Sequence, residues 1–238
     1  MAKEITTAKE QAARAAADLV QDGMIVGLGS GTTSALMIEH LGERVSLQGI
    51  KILAVPTSVA TAKLARNFGI PLRELDDVPR VDISLDGADE IDGRFRMIKG
   101  RGGALLREKL VAVASSWRVT MITADKRVER LGDHAPVPVE VSPIGIKYTE
   151  LRLQQLGAET TIRQHPDGSP FLTDNMNAII DCHFSGIDDP DQLDARLHGT
   201  VGVFESGLFI GLCDTLLIGT DSGIERSDSG LRPLPGQS

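Results

Sequence analysis

The chain has 238 residues, 41% hydrophobic, 24% charged and only 3% aromatic, enough for one large aliphatic core and a smaller appended unit. Its formal charge of −8 excludes the concentrated Lys/Arg surface that a nucleic-acid partner demands, and two isolated cysteines, Cys182 and Cys213, exclude a disulfide framework or a cysteine zinc site. The opening MAKEITTAKEQAARAAADLV carries acidic residues and an Ala-rich amphipathic pattern where a signal peptide has a basic head and an apolar core. No stretch approaches the ~20 apolar residues of a membrane helix. The expectation is a cytoplasmic protein with neither nucleic acid nor membrane as partner.

Residues 8–21 read as a helix, with Ala12, Ala16, Leu19 and Val20 at three- and four-residue spacing. Met24–Leu28 reads as a short buried strand, followed by the loop Gly29-Ser30-Gly31-Thr32-Thr33 and a helix over Ala35–Leu41. The order then repeats: strand Ile50–Val55, loop Pro56-Thr57-Ser58, helix Val59–Phe68, strand Val81–Leu85, helix Ala104–Ser115 and strand Val119–Thr123. Short buried strands alternating with helices predict a doubly wound, mostly parallel, Rossmann-like α/β sheet, whose ligands sit beyond the strand carboxyl ends. The loops at 29–33, 56–58 and 86–92 all leave such ends.

From about Pro136 the texture changes. Pro136, Pro138 and Pro143 punctuate Val137–Val141, then come a helix near Lys147–Leu156, a strand over Asn177–Phe184, a polar turn at 185–191 and a short helix near Gln192–Leu197. Val201–Phe204 and Leu216–Ile218 are later apolar runs, the last a candidate to rejoin the main sheet. The expected division is a Rossmann-like catalytic domain over 1–131 and 205–226, a smaller α+β domain over 132–204, and a disordered tail over 227–238, rich in Ser, Gly and Pro.

Three stretches carry candidate chemistry. The 29–33 turn lies between a strand and a helix, where backbone N–H groups and hydroxyls favour an anion. It is neither a Walker loop nor a dinucleotide fingerprint, and a tight turn capped by Thr is the plain alternative. Asp86-Gly87-Ala88-Asp89-Glu90-Ile91-Asp92 places four acids in seven residues after a buried strand. Crowded carboxylates suit proton transfer near neutral pH, with a solvated turn or a divalent-metal loop as alternatives; the spacing does not fit a calcium loop. Lys99-Gly100-Arg101-Gly102-Gly103 is a cationic glycine-rich loop opening a helix, fit for an oxyanion or a second anionic group, or else a flexible loop with a solvated lysine. On that helix Leu106, Leu110 and Val113 form the expected core stripe, which leaves Glu108 on an Ala-lined, solvated face.

In order and spacing GLGSGTTSALMI, DGADEID and IKGRGGALLREKL resemble the signature blocks of type A ribose-5-phosphate isomerases. The resemblance runs from Lys9 through Lys126 to Thr173-Asp174-Asn175 and Leu217-Ile218-Gly219-Thr220. It implies interconversion of ribose 5-phosphate and ribulose 5-phosphate through a cis-enediolate, without metal or organic cofactor, by a homodimer or homotetramer. Glu108 would move the proton between C1 and C2. Asp86 and Asp89 would contact sugar hydroxyls and assist ring opening and proton shuttling, and Lys99 would stabilise the enediolate oxygen. Lys9, Ser30, Gly31, Thr32, Thr33, Gly87, Ala88, Gly100, Arg101, Gly102 and Lys126 would bind substrate. Two positions depart from the pattern: Arg101 stands where glycine is usual, and Thr123-Ala124-Asp125 precedes Lys126 where the family has Asp three residues and Ser one residue before it. The competing readings are an aminosugar-phosphate isomerase-deaminase or lactonase of similar fold, a non-catalytic sugar-phosphate sensor, and a metal-dependent isomerase.

Overall fold

The computed structural model describes residues 2–231. The chain begins with helix α1 (Ala2–Asp18), then β1 (Ile25–Leu28), α2 (Thr32–Glu43), β2 (Leu53–Pro56), α3 (Val59–Asn67) and β3 (Val81–Gly87). Two short strands, β4 (Glu90–Ile91) and β5 (Met97–Ile98), precede α4 (Leu105–Ala114) and β6 (Ser115–Thr123). Next come β7 (Val137–Val141), α5 (Ile146–Gln154), β8 (Glu159–Ile162), β9 (Ala178–His183), α6 (Pro190–His198), β10 (Val203–Ser206) and β11 (Leu208–Phe209). The last strands are β12 (Thr215–Thr220) and β13 (Gly223–Asp228). Among the described residues no helix is long and apolar enough to cross a membrane.

The chain divides into two units. The first takes in the described residues up to Ala88, Arg107–Lys126 and those from Gly211 on. Its six-stranded sheet has the order β13-β12-β6-β3-β1-β2, parallel throughout except for β13, which runs antiparallel to β12. Successive side chains of a strand point to opposite faces. Val26 and Leu28 of β1 and Ile83 and Leu85 of β3 accordingly enter one core with Ala12, Ala16, Met37, Ile38 and Leu41 of α1 and α2. Gly27, at an alternate position, lies against Val111 of α4 on the other face, with Ser84 beside it. Helices thus cover both faces, as the alternating pattern predicts, and each fully buried Leu, Ile or Met contributes roughly 1.5–3 kcal/mol.

The second unit comprises Asp89–Leu106 and Arg127–Ile210. Its antiparallel sheet, β10-β7-β9-β8, buries Val137, Val139, Val141, Ile180 and Cys182 with Leu153 of α5 and Leu193 and Leu197 of α6. The strand pairs β4–β5 and β5–β11 make a small third sheet. Asp189 caps α6 by accepting from the Gln192 N–H at 3.0 Å, and Pro190 follows at the first helical position, where no N–H is needed.

The boundaries differ from expectation in specific places. Residues 89–106, 127–131 and 205–210, expected in the first unit, fold in the second. The reason lies in long-range pairing: β5 binds β11, more than a hundred residues on, and Glu90 accepts from the backbone N–H groups of Gly132 and His134 at 2.7 Å each. The strand β13 runs to Asp228, two residues into the expected tail. The rest of that tail from 232 on lies outside the described residues. Leu216–Ile218 does rejoin the main sheet, inside β12.

Candidate active site

In the first unit β1 and β3 run parallel with Leu28 beside Leu85, so the loops leaving both strands emerge side by side. Gly29 donates its N–H to the Leu85 carbonyl at 2.9 Å. Asp86, at the end of β3, accepts through Oδ1 from the Ser30 N–H (3.1 Å), the Ser34 hydroxyl (3.2 Å) and the Gly87 N–H (2.8 Å). A carboxylate so held stays in one orientation. A Cβ on Gly29 would fall 2.0 Å from that same Oδ1, so the close approach of loop to carboxylate requires glycine.

The Ser30 hydroxyl lies 2.9 Å from both the Thr57 Oγ1 and the Ser58 Oγ and 3.1 Å from the Thr61 Oγ1. Ser58 is also the N-cap of α3, accepting from the Thr61 N–H at 3.0 Å. Sequence reading missed these buried hydroxyls. The available signal was a Ser placed immediately before an apolar-periodic helix, at a loop already assigned to the ligand edge. The neighbouring α2 starts at Gly31, which offers no side-chain cap, so its first N–H groups and the positive end of its dipole suit an anion. Lys9 adds a cation there, its Nζ 3.2 Å from the Thr32 Oγ1.

Glu108 stands in the first turn of α4 and is 5% exposed, not solvated. The expected core stripe is the error: Leu110 and Val113 are 51% and 64% exposed, and the buried positions are Ala104, Leu105, Glu108 and Val111. The helix turns a different face inward, with Val111 packed against Gly27 of the sheet. Lys126 ends a 3-10 turn with its Nζ 3.3 Å from Asp125. Burial works to raise the Asp125 pKa, but the Thr123 hydroxyl and Lys126 outweigh it, and the net shift is downward.

In the second unit Asp89 donates its N–H to the Ile98 carbonyl (2.8 Å) and accepts the Arg101 N–H through Oδ2 (3.1 Å). Lys99 donates its N–H to the Gly207 carbonyl at 2.9 Å. Its side chain is 5% exposed, with Nζ 5.2 Å from the centre of the Phe209 ring, which excludes the solvated-lysine alternative. Glu90 and Asp92 are structural: Glu90 holds the 132–135 turn, and Asp92 accepts from the backbone N–H groups of Arg94 and Arg96 and from the Arg96 guanidinium. The acidic run therefore separates into two anchors and two carboxylates, Asp86 and Asp89, that orient loop backbone. Of the residues singled out in the sequence, Lys9, Ser30–Thr33, Asp86–Ala88, Glu108 and Lys126 belong to the first unit, and Asp89 and Lys99–Gly102 to the second.

The inventory is a buried carboxylate, a buried ammonium, two oriented carboxylates and a helix start ringed with hydroxyls. Those are the groups needed to move a carbon-bound proton, steady an oxyanion and hold a phosphate. The family model for ribose 5-phosphate isomerase A (phosphoriboisomerase A) matches residues 53–223. Ribose-5-phosphate isomerase A of Synechococcus sp. (strain JA-3-3Ab) is 47% identical over 218 residues, 91% of this chain and 95% of that protein. The structure of ribose 5-phosphate isomerase A from Methanocaldococcus jannaschii superposes with a TM-score of 0.89 at 37% identity, over 93% of this chain and 98% of that one. A structure of D-ribose-5-phosphate isomerase in complex with phospho-erythronic acid gives a TM-score of 0.91 at 36% identity, over 94% and 99%.

Proposed function

This chain belongs to the ribose 5-phosphate isomerase A family, and from that premise we propose how its residues interconvert D-ribose 5-phosphate and D-ribulose 5-phosphate. The reaction is an aldose–ketose isomerisation. A proton leaves C2 of the open-chain aldose, a cis-enediolate forms, and the proton returns at C1, while the oxygens exchange hydroxyl and carbonyl character. Glu108 takes and returns the carbon-bound proton. Lys99 stabilises the oxygen on which negative charge develops. Asp86 and Asp89 bind sugar hydroxyls and move the proton that opens the ring.

The phosphate sits at the start of α2 among Ser30, Gly31, Thr32 and Thr33, with Lys9 and Lys126 supplying charge. Gly87, Ala88, Gly100, Arg101 and Gly102 line the substrate. A net charge of −8 is no obstacle, because only local groups meet the phosphate. The enzyme works as a homodimer or homotetramer in the cytoplasm, and its chemistry calls for no metal or organic cofactor.

The observation that carries this reading is Glu108: burying a carboxylate is costly, yet this one is 5% exposed on the inner face of α4. Phospho-erythronic acid, the compound in one similar structure, adds support, since it is a phosphorylated sugar acid whose carboxylate is planar and anionic, as an enediolate is. The test is a coupled assay of ribulose 5-phosphate formation with a chelator present. Sustained turnover is expected. Activity abolished by chelator and restored by a divalent ion would overturn the metal-free mechanism, and no turnover under any condition would overturn the reading itself.

A further inference from the structure

Arg163 lies just beyond β8, far in sequence from every residue of the site, and the resemblance to known enzymes gives it no role. It is nevertheless built into the glycine-rich loop. Its Nη1 donates to the Gly100 carbonyl at 3.0 Å and to the Arg101 carbonyl at 3.1 Å. Asp181 grips the same guanidinium from behind: Nε lies 2.8 Å from Oδ2, and Nη2 donates to Oδ1. The guanidinium carbon also sits 5.6 Å from the centre of the Phe171 ring. That ring occupies the space a side chain at Gly103 would need, 2.5 Å from an added Cβ. A two-pronged ion pair and a stacked ring fix the orientation of an arginine in a way a lysine cannot reproduce.

The consequence follows from the planarity of the peptide bond. In a trans peptide the carbonyl of one residue and the N–H of the next point in opposite directions. With the Gly100 and Arg101 carbonyls both turned toward Arg163, the N–H groups of Arg101 and Gly102 are turned away from it. The Arg101 N–H does donate to the Asp89 Oδ2, at 3.1 Å. The Gly100 carbonyl takes a second bond, from the Gly103 N–H at 3.0 Å, which closes the turn that follows Lys99.

We infer that Arg163 is a positioning residue: by drawing two carbonyls to one side of the loop it turns the Arg101 amide to Asp89 and aims the Gly102 amide, with the adjoining Lys99, at the developing oxyanion. This rests on the role given to Lys99 above. The guanidinium touches no substrate and acts through backbone. It acts on the transition state more than on binding, because an amide aimed at an oxyanion binds the substrate's neutral carbonyl weakly.

The test uses the full-length enzyme with Arg163→Ala, Arg163→Lys and Lys99→Ala, read as kcat and KM for ribose 5-phosphate alongside thermal unfolding. Arg163→Ala is expected to lower kcat on the order of 10- to 100-fold, with KM changed less than about threefold, and millimolar methylguanidinium is expected to restore part of that kcat. Arg163→Lys, which keeps the charge and some of the packing, should fold even if the alanine variant does not, and should still lose kcat. A folded Arg163→Lys or Arg163→Ala with wild-type kcat, beside an inactive Lys99→Ala, would overturn the role of Arg163 and leave Lys99 in place. Wild-type kcat in Lys99→Ala as well would overturn the underlying reading of the loop. A fall in Tm and kcat with no response to methylguanidinium would reduce Arg163 to a structural residue and overturn the inference.

Discussion

Replacing Gly29 with alanine adds one methyl group, and the structure gives it nowhere to go. The new Cβ would lie 2.0 Å from the Asp86 Oδ1, 2.2 Å from its Cγ and 2.6 Å from its Cβ. Rotating the carboxylate away removes the first two clashes but not the third, so the ends of β1 and β3 must also part. Asp86 then loses the Ser30 N–H and the Ser34 hydroxyl as donors. Hydrogen bonds to a charged group are worth roughly 1.5–3 kcal/mol each, which puts the combined cost at about 4 kcal/mol. If the same displacement is felt in the transition state, kcat/KM falls on the order of 10³-fold. The measurement pairs the coupled assay with thermal unfolding of Gly29→Ala, Asp86→Ala and the double variant. Both single variants should lose activity heavily, and the double variant little more than either, because the methyl group acts through Asp86. Wild-type activity and Tm in Gly29→Ala, or fully additive losses, would refute the reasoning.

Two further outcomes concern stability. Met176 holds φ at +63° in the left-handed region with its side chain 67% exposed, so Met176→Gly should relieve strain at little cost in burial. A gain of about 0.5–1 kcal/mol, seen as a Tm higher by roughly 1–4 °C, is expected, and an unchanged or lower Tm contradicts it. Burial raises the Cys182 and Cys213 thiols from 9.0 to about 12, so in the folded protein both keep protons that the unfolded chain gives up. Their contribution to stability is complete below pH 9 and is lost as pH rises toward 12, by at most about 1.4 kcal/mol per pH unit for each thiol. Urea unfolding at pH 8 and pH 10 should show a smaller drop for Cys182→Ala/Cys213→Ala than for wild type. A thiol reagent at pH 8 should label neither cysteine until the protein unfolds.

The parallel sheet was legible because its signal is local: runs such as Met24–Leu28 and Val81–Leu85 end in polar glycine-rich loops, and a doubly wound sheet brings those loops to one edge. Asp86 was placed correctly for that reason. Glu108 was not, because apolar periodicity records which residues are greasy, not which face a helix turns inward; Leu110 and Val113 are as apolar as Val111, yet they are exposed and Val111 is buried. The unit boundary escaped for a different cause. Two-residue strands such as β4 and β5 have no period to read, and their partner β11 is remote in sequence. Strand β13 is hidden by its composition, Gly-Ile-Glu-Arg-Ser-Asp, which an exposed edge strand tolerates and a pattern search rejects. The Thr57, Ser58 and Thr61 hydroxyls fell between the two cases, on a loop whose position was legible but whose inward aim was not.

The central claim is that Glu108 moves the carbon-bound proton. Glu108→Gln keeps the shape of the side chain and removes its basicity, so kcat for ribulose 5-phosphate formation separates chemistry from folding. A loss of about 10²-fold or more, with KM within a few-fold and Tm within about 2 °C of wild type, is the predicted result. A folded Glu108→Gln enzyme that turns over ribose 5-phosphate at close to the wild-type rate would contradict it.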